Sequence, residues 1–300
     1  MTDTRHVEDQ PEEPPSVRWV TGPGGMPVVD AAAGGGSARI HYQGAQVMSW
    51  QPAGTGPVLW ASRASSYRAG TPMRGGVPVC LPWFGPRADG GGPAHGFART
   101  RDWLLTGAGA ADDAVNLAFQ LEEDGTSDPD VWPHPLLVRL GLSVGSRLGL
   151  ALEVTNTGPR PFRLEAALHT YLAVGDVRQV RVRGLERCSY LDRLTGTRVP
   201  ASGAELTITG ETDRVYDRAG TVQVVDPVAG RTLVVESTHA THVVVWNPWV
   251  DKAAALPDMA DDEWTSMLCV ETAVGLGGGV TLEPGEELMT GVGLSVRPLA

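Results

Sequence analysis

Lysine is nearly absent from this 300-residue chain: Lys252 is the only one, and arginine supplies the rest of the 24 basic residues against 35 acidic ones. The formal net charge of −11 and a pI near 5.1 exclude a general electrostatic grip on nucleic acid or on an anionic membrane surface. An anionic ligand must therefore be held by a local cluster of guanidinium groups. Long apolar runs are missing too, and none approaches the ~20 residues that span a bilayer. Cysteine is limited to Cys80, Cys188 and Cys269, which lie far apart, are odd in number and form no CxxC pair. That usage reads as reduced, mostly buried thiols in a cytoplasmic protein. The opening MTDTRHVEDQPEEPPS is acidic and proline-rich and lacks a signal-peptide core, so residues 1–15 are expected to form a disordered tail.

Helical periodicity is equally scarce. The one candidate is PDMADDEWTSM, with acidic residues in its first turn. What fills the chain is alternation of period two, the mark of strands buried on one face. VNLAFQL puts Val115, Leu117, Phe119 and Leu121 on one side, and LVRLGLSV does so with Val138, Leu140, Leu142 and Val144. LGLALEV and FRLEAALHTYLAV continue the pattern, the latter with Phe162, Leu164, Ala166, Leu168, Leu172 and Val174 together. AELTITG, TVQVVDP and RTLVVES are further short strands, and VTLEPGEELMTGVGLSV reads as a closing hairpin. Turn-forming stretches such as NTGPRP, LTGTRVP and DPVAG separate the runs. Many short strands with turns between them predict packed antiparallel sheets in one domain over residues 16–300, with loops but no linker inside it.

Two long segments break the alternation, residues 71–103 and 243–264. Long irregular loops in a compact β domain are usually functional or disordered, and these are rich in tryptophan, histidine and arginine. Arg74 opens RGGVPVCLPWFGP and Arg99 closes HGFAR, four positions after His95. Two guanidinium groups converging on one spot suit a phosphate dianion, although surface ion pairs to the abundant carboxylates use the same residues. His169 shares the polar face of its strand with Arg163, Glu165 and Tyr171, a face that fits either a cleft wall or solvent. Glu271 sits mid-strand in SMLCVETAV, where both faces are otherwise apolar. Buried there, it needs a partner and has a raised pKa, as a general base working near neutrality requires; on an edge strand it simply reaches water. Asp213 in ETDRVY is a hydrogen-bond acceptor or turn punctuation. PDMADDEW carries four acids but lacks the alternate oxygens and central glycine of a calcium loop, so it reads as helix N-terminal acids. RQVRVRG has no interleaved aromatics and reads as a charged strand face rather than a nucleic-acid platform.

In this order, MRGGVPVCLPWFGP, PAHGFARTRDW, EAALHTYLAVGD, ETDRVY and VVVWNPWVDKAAALPDMADDEWTSMLCVETA resemble the hexose-6-phosphate 1-epimerase (glucose-6-phosphate mutarotase) branch of the aldose 1-epimerase family. The resemblance spans nearly the whole chain after the tail. It implies a galactose-mutarotase-like fold, an all-β, large antiparallel β-sandwich with the sugar bound in a cleft on one sheet. His169 in LHTY matches the family's catalytic histidine and Glu271 in CVE its catalytic glutamate. Arg74, His95, Arg99 and Asp213 match substrate-binding positions. Ala94 stands where some members carry glutamine, which leaves one sugar contact either missing or supplied elsewhere. The implied chemistry is acid–base ring opening and closure. Glu271 takes the anomeric proton, His169 protonates the ring oxygen, His95 and Asp213 address sugar oxygens, and Arg74 and Arg99 hold the 6-phosphate. Trp83, Trp246 and Trp249 are candidate surfaces for the apolar sugar face. No metal or redox cofactor is expected, and the partner is a small-molecule sugar phosphate acted on by a monomer. Two other readings use the same scaffold: an aldose 1-epimerase for unphosphorylated hexoses, and a non-catalytic sugar-phosphate binder. Pairing of His169 with Glu271 argues against the binder.

Overall fold

Alternation is converted directly into sheet. In the computed structural model, which describes residues 15–87, 90–111, 113–217 and 220–299, every second side chain of Leu136–Val144 and Leu148–Asn156 is buried. The expected N-terminal tail, Pro15 excepted, lies outside the described residues. The same alternation holds in Ala114–Glu123, where Val115, Leu117, Phe119 and Leu121 face inward as the spacing predicts. Each such aliphatic or aromatic side chain contributes roughly 1.5–3 kcal/mol when fully buried.

These strands belong to a nine-stranded antiparallel sheet. Its order is Leu206–Thr207, Arg181–Arg183, Thr221–Asp226, Arg231–Thr238, Glu287–Pro298, Leu148–Asn156, Leu136–Val144, Ala114–Glu123 and Leu104–Ala111. A second antiparallel sheet of eight strands runs Thr197–Val199, Tyr190–Asp192, Thr212–Tyr216, His242–Asn247, Met267–Val274, Ala166–Leu168, Val79–Cys80, with Tyr171–Ala173 also paired to Met267–Val274. Val243, Val245, Leu268 and Val270 from its underside share one continuous buried cluster with Leu140, Leu150 and Leu294 of the larger sheet. The result is an all-β antiparallel sandwich. A four-stranded meander, Ser16–Thr21 to Gln46–Pro52, adds Val29, Ile40 and Val47 to the same core. Among the described residues, no helix is long and apolar enough to cross a membrane.

The central strand Met267–Val274 is buried along its whole length. Its even positions enter the core, while Cys269, Glu271 and Ala273 face the other way. On that outer face Phe84, from the long loop, packs over Val215, Val244 and Ala273.

Three expectations need correction. FRLEAALHTYLAV is not one strand but three, Phe162–Leu164, Ala166–Leu168 and Tyr171–Ala173. The ladder breaks because the His169 and Tyr171 amides donate to Pro78 O and Gly76 O of the long loop. PDMADDEWTSM holds only a 3₁₀ turn, Glu263–Ser266, and the single α-helix among the described residues precedes it at Trp249–Ala254. Its acids are spent on tertiary contacts: Glu263 is buried and accepts from Ser62 Oγ (2.6 Å) and the Arg63 amide (2.8 Å). The closing hairpin does not form either. EPGEE turns the chain, but Val280–Leu282 pairs with Phe162–Leu164, and both edges of Glu287–Pro298 are taken by Arg231–Thr238 and Leu148–Asn156.

Candidate active site

Register places the two central side chains. Leu168 pairs with Thr272 and Tyr171 with Cys269 across the antiparallel ladder, so His169 stands opposite Glu271. His169 Nε2 lies 3.4 Å from Glu271 Oε1, with both side chains buried. His169 Nδ1 and Glu271 Oε2 are buried without a hydrogen-bond partner, and so remain available for a ligand. The imidazole stacks on Tyr171, with centroids 4.6 Å apart and planes at 10°, and meets Trp246 edge-on at 6.2 Å. The face that the sequence left open between cleft and solvent is therefore a buried floor at His169 and Tyr171, while Arg163 on the same face is exposed. Burial, reinforced by Asp213, pushes the Glu271 carboxyl well above its usual range. Burial, followed by His95, Arg99 and Arg74, pulls His169 well below the usual imidazole value.

The loop 71–103 brings His95, Arg74 and Arg99 to this floor, and its backbone can pass only where side chains are missing. A Cβ on Gly76 would sit 2.0 Å from Val47 O and one on Gly96 1.9 Å from Leu81 O, with both residues at positive φ. His95 itself adopts φ +64, a costly conformation for a non-glycine residue, held by its amide donating to Gly85 O at 2.8 Å. The Gly85 amide returns a hydrogen bond to His95 Nδ1 at 3.3 Å. Burial, helped by Arg99, Arg193 and Arg74, lowers the His95 pKa to about 3. The ring is thus neutral with its proton on Nε2, a donor for a sugar oxygen. Its centroid is 5.5 Å from that of His169.

Arg74 reaches the floor through Tyr171, donating from Nη1 to the phenolic oxygen at 3.3 Å, and its Nε stands 2.8 Å from Asp258. Arg99 donates from Nη2 to Ala94 O at 2.7 Å; among the described residues no carboxylate lies within ion-pair distance of it. Asp213, in Thr212–Tyr216, pairs with Trp246 on the face that carries Glu271. Burial raises its pKa against the opposing charges of Arg193 and Lys252. All six expected residues thus meet at one region of the outer face. Of the three tryptophans, Trp246 touches the pair and Trp83 lines the adjoining hollow, whereas Trp249 packs on Trp264 at 4.3 Å.

Sequence reasoning missed three contributors. Tyr171 had a signal, the shared parity with His169. Asp258, read as a helix acid, is the counter-charge of Arg74. Arg193 had none, since LDRLTG is an ordinary turn. Its guanidinium lies 5.4 Å over the Phe84 ring and its charge acts on His95, Asp213 and Glu271. It also lines a cavity of about 770 Å³ with Trp83, Phe84, Leu191, Val215 and Leu276, a lining that includes neither His169 nor Glu271. Cys269 completes the floor: its sulfur, a His169 ring nitrogen and a Glu271 oxygen all lie within 4.8 Å of one another.

The chain was compared with known proteins. Residues 27–295 match the family model described as aldose 1-epimerase. A protein of Escherichia coli K12 named "putative glucose-6-phosphate 1-epimerase" is 38% identical over 239 residues, covering 79% of each chain. The crystal structure of a "putative mutarotase" from Salmonella typhimurium superposes with a TM-score of 0.86 at 30% identity, over 95% of this chain and 94% of that one. Galactose 1-epimerase from Lactobacillus acidophilus NCFM shares the fold, with a TM-score of 0.74 at 11% identity over 96% of this chain and 100% of that one.

Proposed function

This chain belongs to the aldose 1-epimerase family, and on that premise we propose that it interconverts the α and β anomers of aldohexose 6-phosphates. The observation that carries this reading is the cross-strand pair: an imidazole 3.4 Å from a carboxyl on a cleft face, flanked by two guanidinium groups. Anomer exchange needs one proton removed from O1 and one delivered to O5 as the C1–O5 bond breaks. Glu271 takes the first and His169 gives the second. Rotation about C1–C2 then presents the other carbonyl face, and the pair closes the ring with roles reversed. Each well-placed acid or base contributes about 10²–10⁴-fold in rate.

Burial and His95 depress His169, and so do Arg99 and Arg74, whose part a phosphate dianion held by both offsets. The reaction uses Glu271 as carboxylate and His169 as imidazolium. His95 donates from Nε2 to the ring oxygen or a neighbouring hydroxyl, Asp213 accepts from a hydroxyl, and Tyr171 holds the His169 ring by stacking. The arginines favour this reading over an epimerase for unphosphorylated hexoses, and the acid–base pair favours it over a passive binder. We also read residues 16–300 as one domain, supported by a core cluster running from Val29 to Leu294, and the protein as a cytoplasmic monomer, the buried thiols of Cys80 and Cys269 supporting the reducing compartment.

The test is polarimetric relaxation of freshly dissolved α-glucose 6-phosphate and α-glucose, with and without enzyme. Strong acceleration of the phosphate ester with weak acceleration of glucose is expected. Equal acceleration of the two sugars would refute the phosphate assignment, and none of either would refute catalysis.

A further inference from the structure

Cys269 has no part in the anomer chemistry, yet among the described residues its sulfur belongs to a group of three side chains whose ligand atoms lie close enough together to hold one metal ion. A His169 ring nitrogen, Cys269 Sγ and a Glu271 oxygen lie within 4.8 Å of one another, all three side chains buried. A tetrahedral zinc site with bonds of ~2.0–2.3 Å places neighbouring ligand atoms roughly 3.3–3.8 Å apart. The His169 Nε2 to Glu271 Oε1 separation is already 3.4 Å. Contraction by up to about 1 Å brings the remaining separations into that range. The second carboxylate oxygen of Glu271 is buried without a partner, so the cluster contains unspent acceptor capacity rather than a closed hydrogen-bond network.

We propose that His169, Cys269 and Glu271 form an inhibitory site for a borderline-soft divalent cation of the zinc type. The ion replaces the thiol proton and the one proton held by the His169–Glu271 pair, and both leave to solvent as the metal–sulfur and metal–oxygen bonds form. Thiolate and carboxylate together balance its two positive charges. It occupies both proton-transfer groups at once, so it competes with the sugar. Two features set the affinity below that of a resident structural metal. His169 Nδ1 lacks the carboxylate or carbonyl that usually orients a ligating imidazole, and Arg74 and Arg99 oppose a dication. A hard cation such as Mg²⁺ does not favour a thiolate ligand and leaves the site untouched.

The test uses the full chain and begins with binding, which does not depend on the proposed activity. Titration of wild type with Co²⁺ is expected to develop a near-ultraviolet thiolate-to-metal charge-transfer band and the visible bands of a four-coordinate ion. Both saturate at one equivalent and are bleached by Zn²⁺. Cys269→Ala and Cys269→Ser are expected to lose the charge-transfer band and to weaken Zn²⁺ by about 100-fold or more. Zn²⁺ then inhibits anomer exchange by wild type but not by either variant, Mg²⁺ inhibits neither, and glucose 6-phosphate protects. A wild-type Co²⁺ spectrum without the thiolate band overturns the proposal, as does Cys269→Ala binding Zn²⁺ as tightly as wild type. If exchange activity is absent throughout while the Co²⁺ result holds, the failure lies with the proposed function and not with the metal site.

Discussion

Removing Arg99 and Arg74 one at a time separates phosphate recognition from structural support, because the fold uses the two guanidinium groups differently. Arg99 holds only the Ala94 carbonyl, so Arg99→Ala deletes a charge without stranding a buried one. A hydrogen bond to a charged group contributes about 1.5–3 kcal/mol, equivalent to roughly 10- to 150-fold. Arg99→Ala should therefore lower kcat/KM for glucose 6-phosphate by about that factor while leaving glucose within about threefold. Its Tm should change by less than about 2 °C, as for a substitution that costs no more than about 0.5 kcal/mol in a chain of this size. Arg74→Ala should show the same substrate discrimination and also lower Tm by several degrees. It leaves Asp258, 2.8 Å from the lost Nε, and the Tyr171 hydroxyl without their cation, at a cost of about 1–3 kcal/mol. Pairing Arg74→Ala with Asp258→Asn should recover part of that Tm but none of the phosphate preference. Kinetics on both sugars beside thermal melts of the same samples make the comparison. If either single variant loses activity equally on glucose and on its phosphate ester, the guanidinium groups do not read phosphate and the reasoning fails.

Further expectations concern protons. The pair works while it holds one proton, and burial raises Glu271 above its ordinary 4.5, so kcat/KM should persist through the usual carboxylate range and fall only at higher pH; a fall between pH 4 and 5 on the alkaline side would contradict this. Arg193 opposes that upward shift, so Arg193→Ala should move the alkaline limb of the same profile to still higher pH, while an unmoved limb would show that its charge does not reach the pair. A carboxyl whose pKa is raised on folding contributes stability that is present below its unfolded value and lost as pH rises through the folded one. Glu271→Gln escapes that loss, so its Tm should exceed that of wild type by a margin that grows from pH 5 to pH 9, with exchange activity abolished; a constant margin would argue against the raised pKa.

Sheet and site were legible to different degrees. Strict alternation in Ala114–Glu123 and Leu136–Val144 encodes which face is buried, and one buried face is enough to set register. The pattern alone marks Glu271, which interrupts an apolar strand, and His169, which shares parity with Tyr171; their roles as base and acid rest on the family resemblance. That the two stand opposite one another was not readable, since the pairing goes with His169 and Tyr171 amides taken by the Pro78 and Gly76 carbonyls of a loop far away in the chain. The same non-local cause defeated the hairpin after Leu282, where local turn chemistry is right but the strand partners come from elsewhere. Arg193 stayed hidden because its role comes from a position above Phe84 that no local pattern encodes.

The central claim is that His169 and Glu271 pass protons to and from a sugar ring. Two-dimensional exchange NMR on equilibrated glucose 6-phosphate tests it directly, by reading cross-peaks between the two anomeric protons. Wild type should give strong exchange peaks on a timescale where buffer gives none, and Glu271→Gln and His169→Asn, folded by their melts, should each abolish them. Exchange peaks of undiminished strength in either variant would contradict the account.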